Sequence, residues 1–144
     1  MSSLTTFDPH NELSQVNWLK NFKQQTNWAT AQSPTLTIVV DDDCGCTMRS
    51  TSHIKQLQSQ AINNGYTVEI INQHSDSTRL LPNVPGAVLL AENGDLVYAG
   101  PLSQGIACSA SDGFVELAIN NLSAGFNSQL IVSESRGCYC SDKR

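Results

Sequence analysis

The sequence predicts a single α/β domain with a mixed β-sheet of about four strands flanked by helices. Three observations lead to this fold class: a β-rich run leads through a helical pattern to a second β-rich run, two further apolar runs flank a turn signal, and helical periodicity occurs near both ends. The chain has 144 residues, which is enough for one domain with a core of its own.

The first half of the chain alternates between helical and β-rich patterns. Apolar residues at helical spacing predict a helix over residues 11–25, and the β-branched run 35–40 predicts a central strand. A second helix is expected over 47–64, because Asn64-Gly65 is a typical helix C-terminus. Residues 66–71 then predict a strand parallel to the first, in a β-α-β unit.

The second half predicts a β-hairpin, a helix and a tail. The apolar runs 87–91 and 96–99 flank the turn residues 92–95, which is typical of a hairpin. A final helix is expected from about Asp112, its N-cap, to about Gly125. We therefore expect a domain over residues 1–125 and a C-terminal tail over residues 126–144 that packs on the same domain.

Charge and hydropathy exclude several classes of partner. With 40% hydrophobic residues the chain is too apolar to be disordered, and a net charge of -5 with only eight Lys and Arg residues argues against a nucleic-acid partner. No apolar stretch reaches the roughly 18 residues of a membrane span, so we expect a soluble chain without membrane contact. The polar start at Met1 lacks the regions of a signal peptide, and it also fits a chain whose N-terminal anchor was removed.

Cysteines are the most informative residues of the sequence. The chain has five of them, and four form two Cys-x-Cys pairs. An odd number means that a framework of structural disulfides within one chain does not account for all of them. The first pair is predicted to lie on the turn between the central strand and the second helix. The five positions are Cys44, Cys46, Cys108, Cys138 and Cys140.

The order of elements over about residues 10–124 resembles the thioredoxin superfamily. Three local features carry the resemblance: the cysteines at the strand-to-helix turn, Val84-Pro85 just before a strand, and the Asn93-Gly94 hairpin turn. The resemblance implies a three-layer α/β sandwich with a redox-active centre. It also implies that Pro85 is a cis-proline beside that centre, an isomer found at about 5–6% of X-Pro bonds in folded proteins.

The sequence departs from the thioredoxin pattern at the cysteines themselves. Thioredoxins usually carry Cys-x-x-Cys after an aromatic residue, whereas here Cys44 and Cys46 enclose one residue and follow three aspartates, 41–43. A disulfide across one residue closes a strained ring that is easily reduced, which suits an oxidant or isomerase-like role. The helix N-terminus favours the thiolate, while the aspartates oppose it by like charge.

The topology of such a fold predicts that the five thiols converge. The hairpin's second strand runs back to the end of the sheet where Pro85 lies, so Cys108 is expected near Cys44 and Cys46. An extended tail of about 12 residues spans roughly 40 Å, which is enough to bring Cys138 and Cys140 back to the same end.

The first functional hypothesis is a thiol-disulfide oxidoreductase that requires no cofactor and acts on protein thiols or disulfides. In it Cys44 attacks, Cys46 resolves, and Cys108 or the tail pair, Cys138 and Cys140, relays electrons. Pro85 shapes a groove in which the partner's extended segment pairs as an added strand.

The second hypothesis is a metal-binding protein, because thiolates suit Cu(I), Zn or an iron–sulfur cluster. Its ligands would come from Cys44, Cys46, Cys108, Cys138 and Cys140. His53 is expected on the exposed surface of the second helix, and His10 and His74 have no ligand spacing to any cysteine.

The third hypothesis is a non-catalytic interaction domain whose cysteines form structural disulfides, for example between Cys108 and the tail pair. Structural disulfides persist in oxidising compartments and rarely in the cytosol. We therefore expect a bacterial envelope or periplasmic location.

Overall fold

A computed structural model provides the coordinates of the protein. It describes the following residues: 5–6, 12–15, 17–25, 34–40, 51–72, 81, 83–84, 86–92, 94–101, 114–125, 127, 129–131, 136–137 and 140–141.

The architecture is α/β, as predicted, with a mixed five-stranded sheet. Its strands are β2 (Thr35–Val40), β3 (Thr67–Asn72), β5 (Gly86–Leu90), β6 (Leu96–Pro101) and β7 (Leu130–Ile131). The strand order is β3-β2-β5-β6-β7, in which β2 and β3 are parallel, β5 is antiparallel to both β2 and β6, and β7 is parallel to β6. The sheet has one strand more than the four predicted, because tail residues add an edge strand.

The central strand β2 is buried along its whole length. Because side chains alternate across a strand, Leu36 and Ile38 enter the core on one face of the sheet, while Val39 enters the core on the other. A strand covered on both faces reads as a continuous apolar and β-branched run, which is why the sequence predicted this element correctly.

Helix α2 (Thr51–Asn63) connects β2 to its parallel neighbour β3. The helix ends as predicted at Asn64-Gly65, where Gly65 has a φ of +82°. The amide of Gly65 donates to the carbonyl of Ile62, and the amide of Tyr66 donates to the carbonyl of Ala61, which together form a Schellman motif. The chain is thereby turned directly into β3.

Helix α3 (Phe114–Ser123) packs beside α2 on the same face of the sheet. Both helices cover a core that contains Leu57 of α2, Ile119 of α3 and Tyr98 of β6, all with 0% exposure. Gly125, with a φ of +88°, follows α3 as predicted. The predicted N-cap, Asp112, lies outside the described residues. No helix in the described ranges is long and apolar enough to cross a membrane.

The opposite face of the sheet is covered by helix α1 (Trp18–Gln25). The prediction of one helix over residues 11–25 was wrong, because residues 12–14 form a separate 3-10 helix. The carbonyl of Asn17 accepts the first bond of α1, from the amide of Asn21 at 3.0 Å. Asparagine is a favoured N-cap residue, so α1 begins after Asn17 rather than continuing from the 3-10 helix.

The predicted hairpin is present as β5 and β6. The amide of Gly94 donates to the carbonyl of Ala91 at 2.8 Å, and the amide of Ala91 donates to the carbonyl of Asp95 at 2.9 Å. Gly94 has a φ of +93°, a conformation that glycine adopts without strain. Asn93 lies outside the described residues.

Three further pairings tie the termini to the domain. The tail strand β7 extends the main sheet, and two short antiparallel pairs form separate two-stranded sheets. Thr5–Thr6 (β1) pairs with Arg136–Gly137 (β8), and Asn83–Val84 (β4) pairs with Cys140–Ser141 (β9). The tail thus contributes strands at three positions.

Candidate functional site

The candidate site is the sheet edge at which β2 ends. Val39 is the direct partner of Gly86 at the start of β5, and Gly86 is the direct partner of Pro101 at the end of β6. Helix α2 returns from this edge to the opposite end of the sheet, where β3 begins parallel to β2. The N-terminus of α2 therefore belongs to the same edge as the end of β2, the start of β5 and the end of β6.

Most of the predicted site residues are attached to this edge but are themselves outside the described residues. Cys44 and Cys46 follow Val40, Pro85 immediately precedes Gly86, and Cys108 follows Pro101. The cis isomer of Pro85 accordingly stays a prediction. The three aspartates before Cys44 also lie outside the described residues.

Covalent geometry limits how far these thiols are from the edge. Cys44 is four residues from Val40, so an extended chain carries its Cα at most about 14 Å from that of Val40. Cys108 is seven residues from Pro101, which allows at most about 25 Å. Both limits are compatible with the predicted gathering of thiols at the edge.

The second Cys-x-Cys is connected to the same part of the fold by backbone pairing. Cys140 in β9 is the direct partner of Val84 in β4, two residues before Gly86. Val84 is itself 1% exposed and belongs to the core under α1. Cys138, which precedes β9, lies outside the described residues. The sequence predicted that the tail returns to this end, but no local pattern identified Val84 as the pairing position.

His53 is a residue of this edge whose environment was predicted incorrectly. It lies in the first turn of α2 and is 3% exposed, whereas a surface position was expected. The reason is its position on the helix: together with Ile54, Leu57 and Ala61 it forms the buried face. The four-residue spacing between His53 and Leu57 was the signal for this position. A buried imidazole here is a hydrogen-bonding and proton-transfer group, seven residues after Cys46 in the sequence.

A groove of about 350 Å³ lies at the opposite end of the sheet, remote from the strand ends that carry the cysteines. Its polar wall is formed by the hydroxyls of Tyr66 and Ser123, which are 2.8 Å apart, and by Asn64, whose Oδ1 accepts from Ser123 Oγ at 2.7 Å. These groups satisfy one another and join the C-terminal ends of α2 and α3, so we assign the network to stability.

A metal centre is not formed by the described residues: none of their His, Cys, Asp and Glu side chains make up a group of three or more that could hold an ion. The cysteines predicted to bind a soft metal lie outside the described residues, except that the backbone of Cys140 is described. His10 and His74 are outside the described ranges as well.

Comparison with known proteins identifies the family. A model described as "Domain of unknown function (DUF6436)" matches residues 14–142, which is nearly the whole chain, and the chain belongs to this family. No curated protein and no solved structure matches the chain.

Proposed function

We propose that this member of the DUF6436 family is a thiol-disulfide oxidoreductase of thioredoxin-like fold, which acts as an oxidant or isomerase through Cys44 and Cys46. The observation that carries the proposal is the meeting of three strand ends. Val39 pairs with Gly86, and Gly86 pairs with Pro101. The segments leading to Cys44, Pro85 and Cys108 therefore leave the sheet at one edge.

The order and direction of the elements support the thioredoxin-like part of the proposal. A central strand, β2, leads to helix α2 and to the parallel strand β3, and the antiparallel hairpin β5–β6 and helix α3 follow. Helices cover both faces of the sheet, with α1 on one side and α2 and α3 on the other. These three layers support the sandwich that the resemblance implies.

The electrostatics of α2 support a reactive thiolate. The helix begins at Thr51 on the cysteine-bearing edge, and its first turn contains no acidic residue. A helix N-terminus carries a partial positive charge, which stabilises an anion in front of it. This field favours the thiolate form of a cysteine in the preceding segment, against the like charge of the three aspartates 41–43, and the thiolate is the reactive species in disulfide exchange.

The proposed reaction transfers two electrons from a partner dithiol to the Cys44–Cys46 disulfide. A partner thiolate attacks Cys44, forms a mixed disulfide and releases the Cys46 thiolate. The second partner thiolate then attacks the partner sulfur of the mixed disulfide and releases the Cys44 thiolate. The partner leaves as a disulfide, and the two protons lost by its thiols are taken up by Cys44 and Cys46. Relief of the strained one-residue ring favours this direction.

The partner is proposed to be a protein that presents an extended segment beside Pro85. Added-strand pairing uses main-chain hydrogen bonds and therefore tolerates different partner sequences. The acidic chain, with a net charge of -5, gives no support to nucleic acid as an alternative partner. An oxidising compartment such as the bacterial envelope or periplasm suits this activity.

The test is oxidation of a dithiol peptide by the oxidised full-length chain, followed by mass spectrometry of both reactants. The wild-type chain should convert the peptide to its disulfide and become reduced at Cys44 and Cys46. Cys44→Ser should abolish conversion. In the reverse direction, reduced Cys46→Ser should attack the disulfide form of the peptide and accumulate the mixed disulfide between peptide and Cys44, because the thiol that would release the peptide is absent. Glu92→Gln, an exposed position at the opposite end of the sheet, is the matched control and should react like the wild type.

Two results would contradict the proposal and support the other hypotheses. Stoichiometric metal that remains bound to the anaerobically purified chain, with no peptide oxidation, would support a thiolate metal centre. A chain whose disulfides stay unchanged in the presence of the peptide, and which binds no metal, would be a non-catalytic domain with structural disulfides.

A further inference from the structure

We propose that the C-terminal tail is a tethered redox substrate of the Cys44–Cys46 centre, docked there by the pairing of β9 with β4. The inference rests on the proposed function and adds a defined partner to it: the Cys138–Cys140 dithiol of the same chain. The observation behind it is the register of this short antiparallel pair, in which Cys140 lies opposite Val84 and Ser141 lies opposite Asn83.

The pairing brings the backbone of Cys140 next to the segment that leads to Pro85. Direct partners in an antiparallel pair have Cα atoms about 4.5–5.5 Å apart. From Val84 the chain reaches Gly86 after two residues, and Gly86 is the direct partner of Val39, at the end of the strand that leads to Cys44. Cys140 and the segment that leads to Cys44 are therefore linked by two successive strand pairings, β9 with β4 and β5 with β2.

A second pairing fixes the tail on the other side of its cysteine pair. Gly137, the residue before Cys138, lies opposite Thr5, and Arg136 lies opposite Thr6. Residues 138–139 are thus bracketed by β8, which pairs with β1, and by β9, which pairs with β4. Two separate attachments on either side of a short segment restrict where that segment can go. This restriction gives its thiols a high effective concentration at the site.

The docked tail uses the mode of recognition proposed for an external partner. An extended partner that adds a strand beside Pro85 would meet β9, which is already paired with residues 83–84. The tail is therefore both the first substrate of the centre and a competitor of external partners. An external partner reaches the centre after β9 has been displaced.

The exchange balances within the chain and needs no external reactant. The Cys140 thiolate attacks Cys44 of the Cys44–Cys46 disulfide, and the Cys46 thiolate leaves. The Cys138 thiolate then attacks Cys140, the Cys44 thiolate leaves, and a Cys138–Cys140 disulfide remains. Two electrons pass from the tail to the centre, and the two protons of the tail thiols are taken up by Cys44 and Cys46. Both disulfides close a ring across one residue, so ring size favours neither side and the exchange is reversible.

The test traps the intermediate in the full-length chain. In Cys46→Ser/Cys138→Ser neither Cys44 nor Cys140 has a neighbour to pair with, and mild oxidation should yield a Cys44–Cys140 disulfide that peptide mapping identifies. Adding Ser141→Pro should slow its formation at least about tenfold, because proline removes a backbone donor from β9 and lowers the effective concentration of the tail. Lys143→Pro, the same substitution two residues further on, is the matched control and should have no effect.

The same samples separate failure of this inference from failure of the proposed function. If Cys46→Ser forms the mixed disulfide with the external disulfide peptide but Cys46→Ser/Cys138→Ser forms none between Cys44 and Cys140, the tail is not a substrate while the centre is active. A predominant Cys44–Cys108 disulfide, or equal rates with and without Ser141→Pro, would also overturn the inference. If Cys44 reacts neither with the peptide nor with Cys140, the proposed function itself fails.

Discussion

The hydroxyl of Tyr66 lies 2.8 Å from Oγ of Ser123 and thereby joins the C-terminal ends of α2 and α3. Ser123 Oγ donates its single proton to Asn64 Oδ1, so the Tyr66 hydroxyl is the donor in its contact with Ser123. Tyr66 is 8% exposed and Ser123 is exposed, so the bond between them is partly buried. The network is therefore a clamp between the two helices that cover one face of the sheet.

Tyr66→Phe removes the donor of this clamp and is expected to lower the free energy of unfolding by about 1 kcal/mol, the usual net contribution of one hydrogen bond. Urea denaturation should show a lower midpoint with an unchanged slope. Ser123→Ala breaks the same network, so the two substitutions should not be additive. Strict additivity, or a loss of thiol exchange in Tyr66→Phe, would contradict a purely structural role at this end of the molecule.

The ends of α2 and α3 provide a second prediction about stability. Gly65 and Gly125 have φ values of +82° and +88°, and a Cβ built on either would meet no atom within 4 Å. Alanine at either position is therefore expected to cost about 1 to 2 kcal/mol through backbone strain alone. Thermal or urea unfolding measures this loss.

The control for these glycines is Asn63→Ala, at the exposed last residue of α2, which should not destabilise the protein. Gly65→Asn should lose less than Gly65→Ala, because asparagine tolerates the left-handed region better. Equal losses for asparagine and alanine would show that the conformation at Gly65 is not the cause.

Local patterns predicted the central elements of the fold well. The run 35–40 is β-branched and fully buried, and the Asn64-Gly65 and Gly94 turns have the chemistry that their backbone conformations require. The first helix was mispredicted because apolar spacing continues through residues 11–25, whereas Asn17 starts a new helix. Hydrophobic periodicity alone does not reveal such a break between two helices.

The candidate site was predictable only as far as topology determines it. The meeting of strand ends at Val39, Gly86 and Pro101 follows from a β-α-β unit and a hairpin, both of which have sequence signals. The Val84–Cys140 pair has no sequence signal. A two-residue strand is too short to show alternating hydrophobicity, and tertiary contacts determine which strand it pairs with. The burial of His53 was not predicted for a different reason: a polar side chain favours a surface position, although the spacing places residue 53 on the apolar face of the helix.

A third prediction concerns the core under α2. Leu57 has 0% exposure and packs between the helix and the sheet, so Leu57→Ala should cost about 2–5 kcal/mol through lost burial and a residual cavity. The adjacent Gln56 is exposed, and Gln56→Ala should change stability by less than about 0.5 kcal/mol. Equilibrium denaturation of both variants measures the difference. Similar stabilities for the two variants would contradict the position of α2 on the sheet.

A fourth prediction tests the layer on the opposite face. Phe22 of α1 is 2% exposed, and its ring stacks on that of Trp18 with centroids 5.3 Å apart and an interplanar angle of 25°. Phe22→Ala removes both the burial and the stacking, and should cost about 3–5 kcal/mol. It should also change the near-ultraviolet circular dichroism of the Trp18 indole.

Two further variants determine how the Phe22 result is interpreted. Trp18→Phe keeps an aromatic ring in contact with Phe22 and should cost less than Phe22→Ala, since Trp18 is only partly buried. Asn21→Ala, at an exposed position beside Phe22, controls for changes in helix propensity and should leave stability nearly unchanged. If Phe22→Ala lowered the free energy of unfolding no more than Asn21→Ala, α1 would contribute little to the second core. The burial of Val39 and Val88 on that face of the sheet would then have to come from residues other than those of α1.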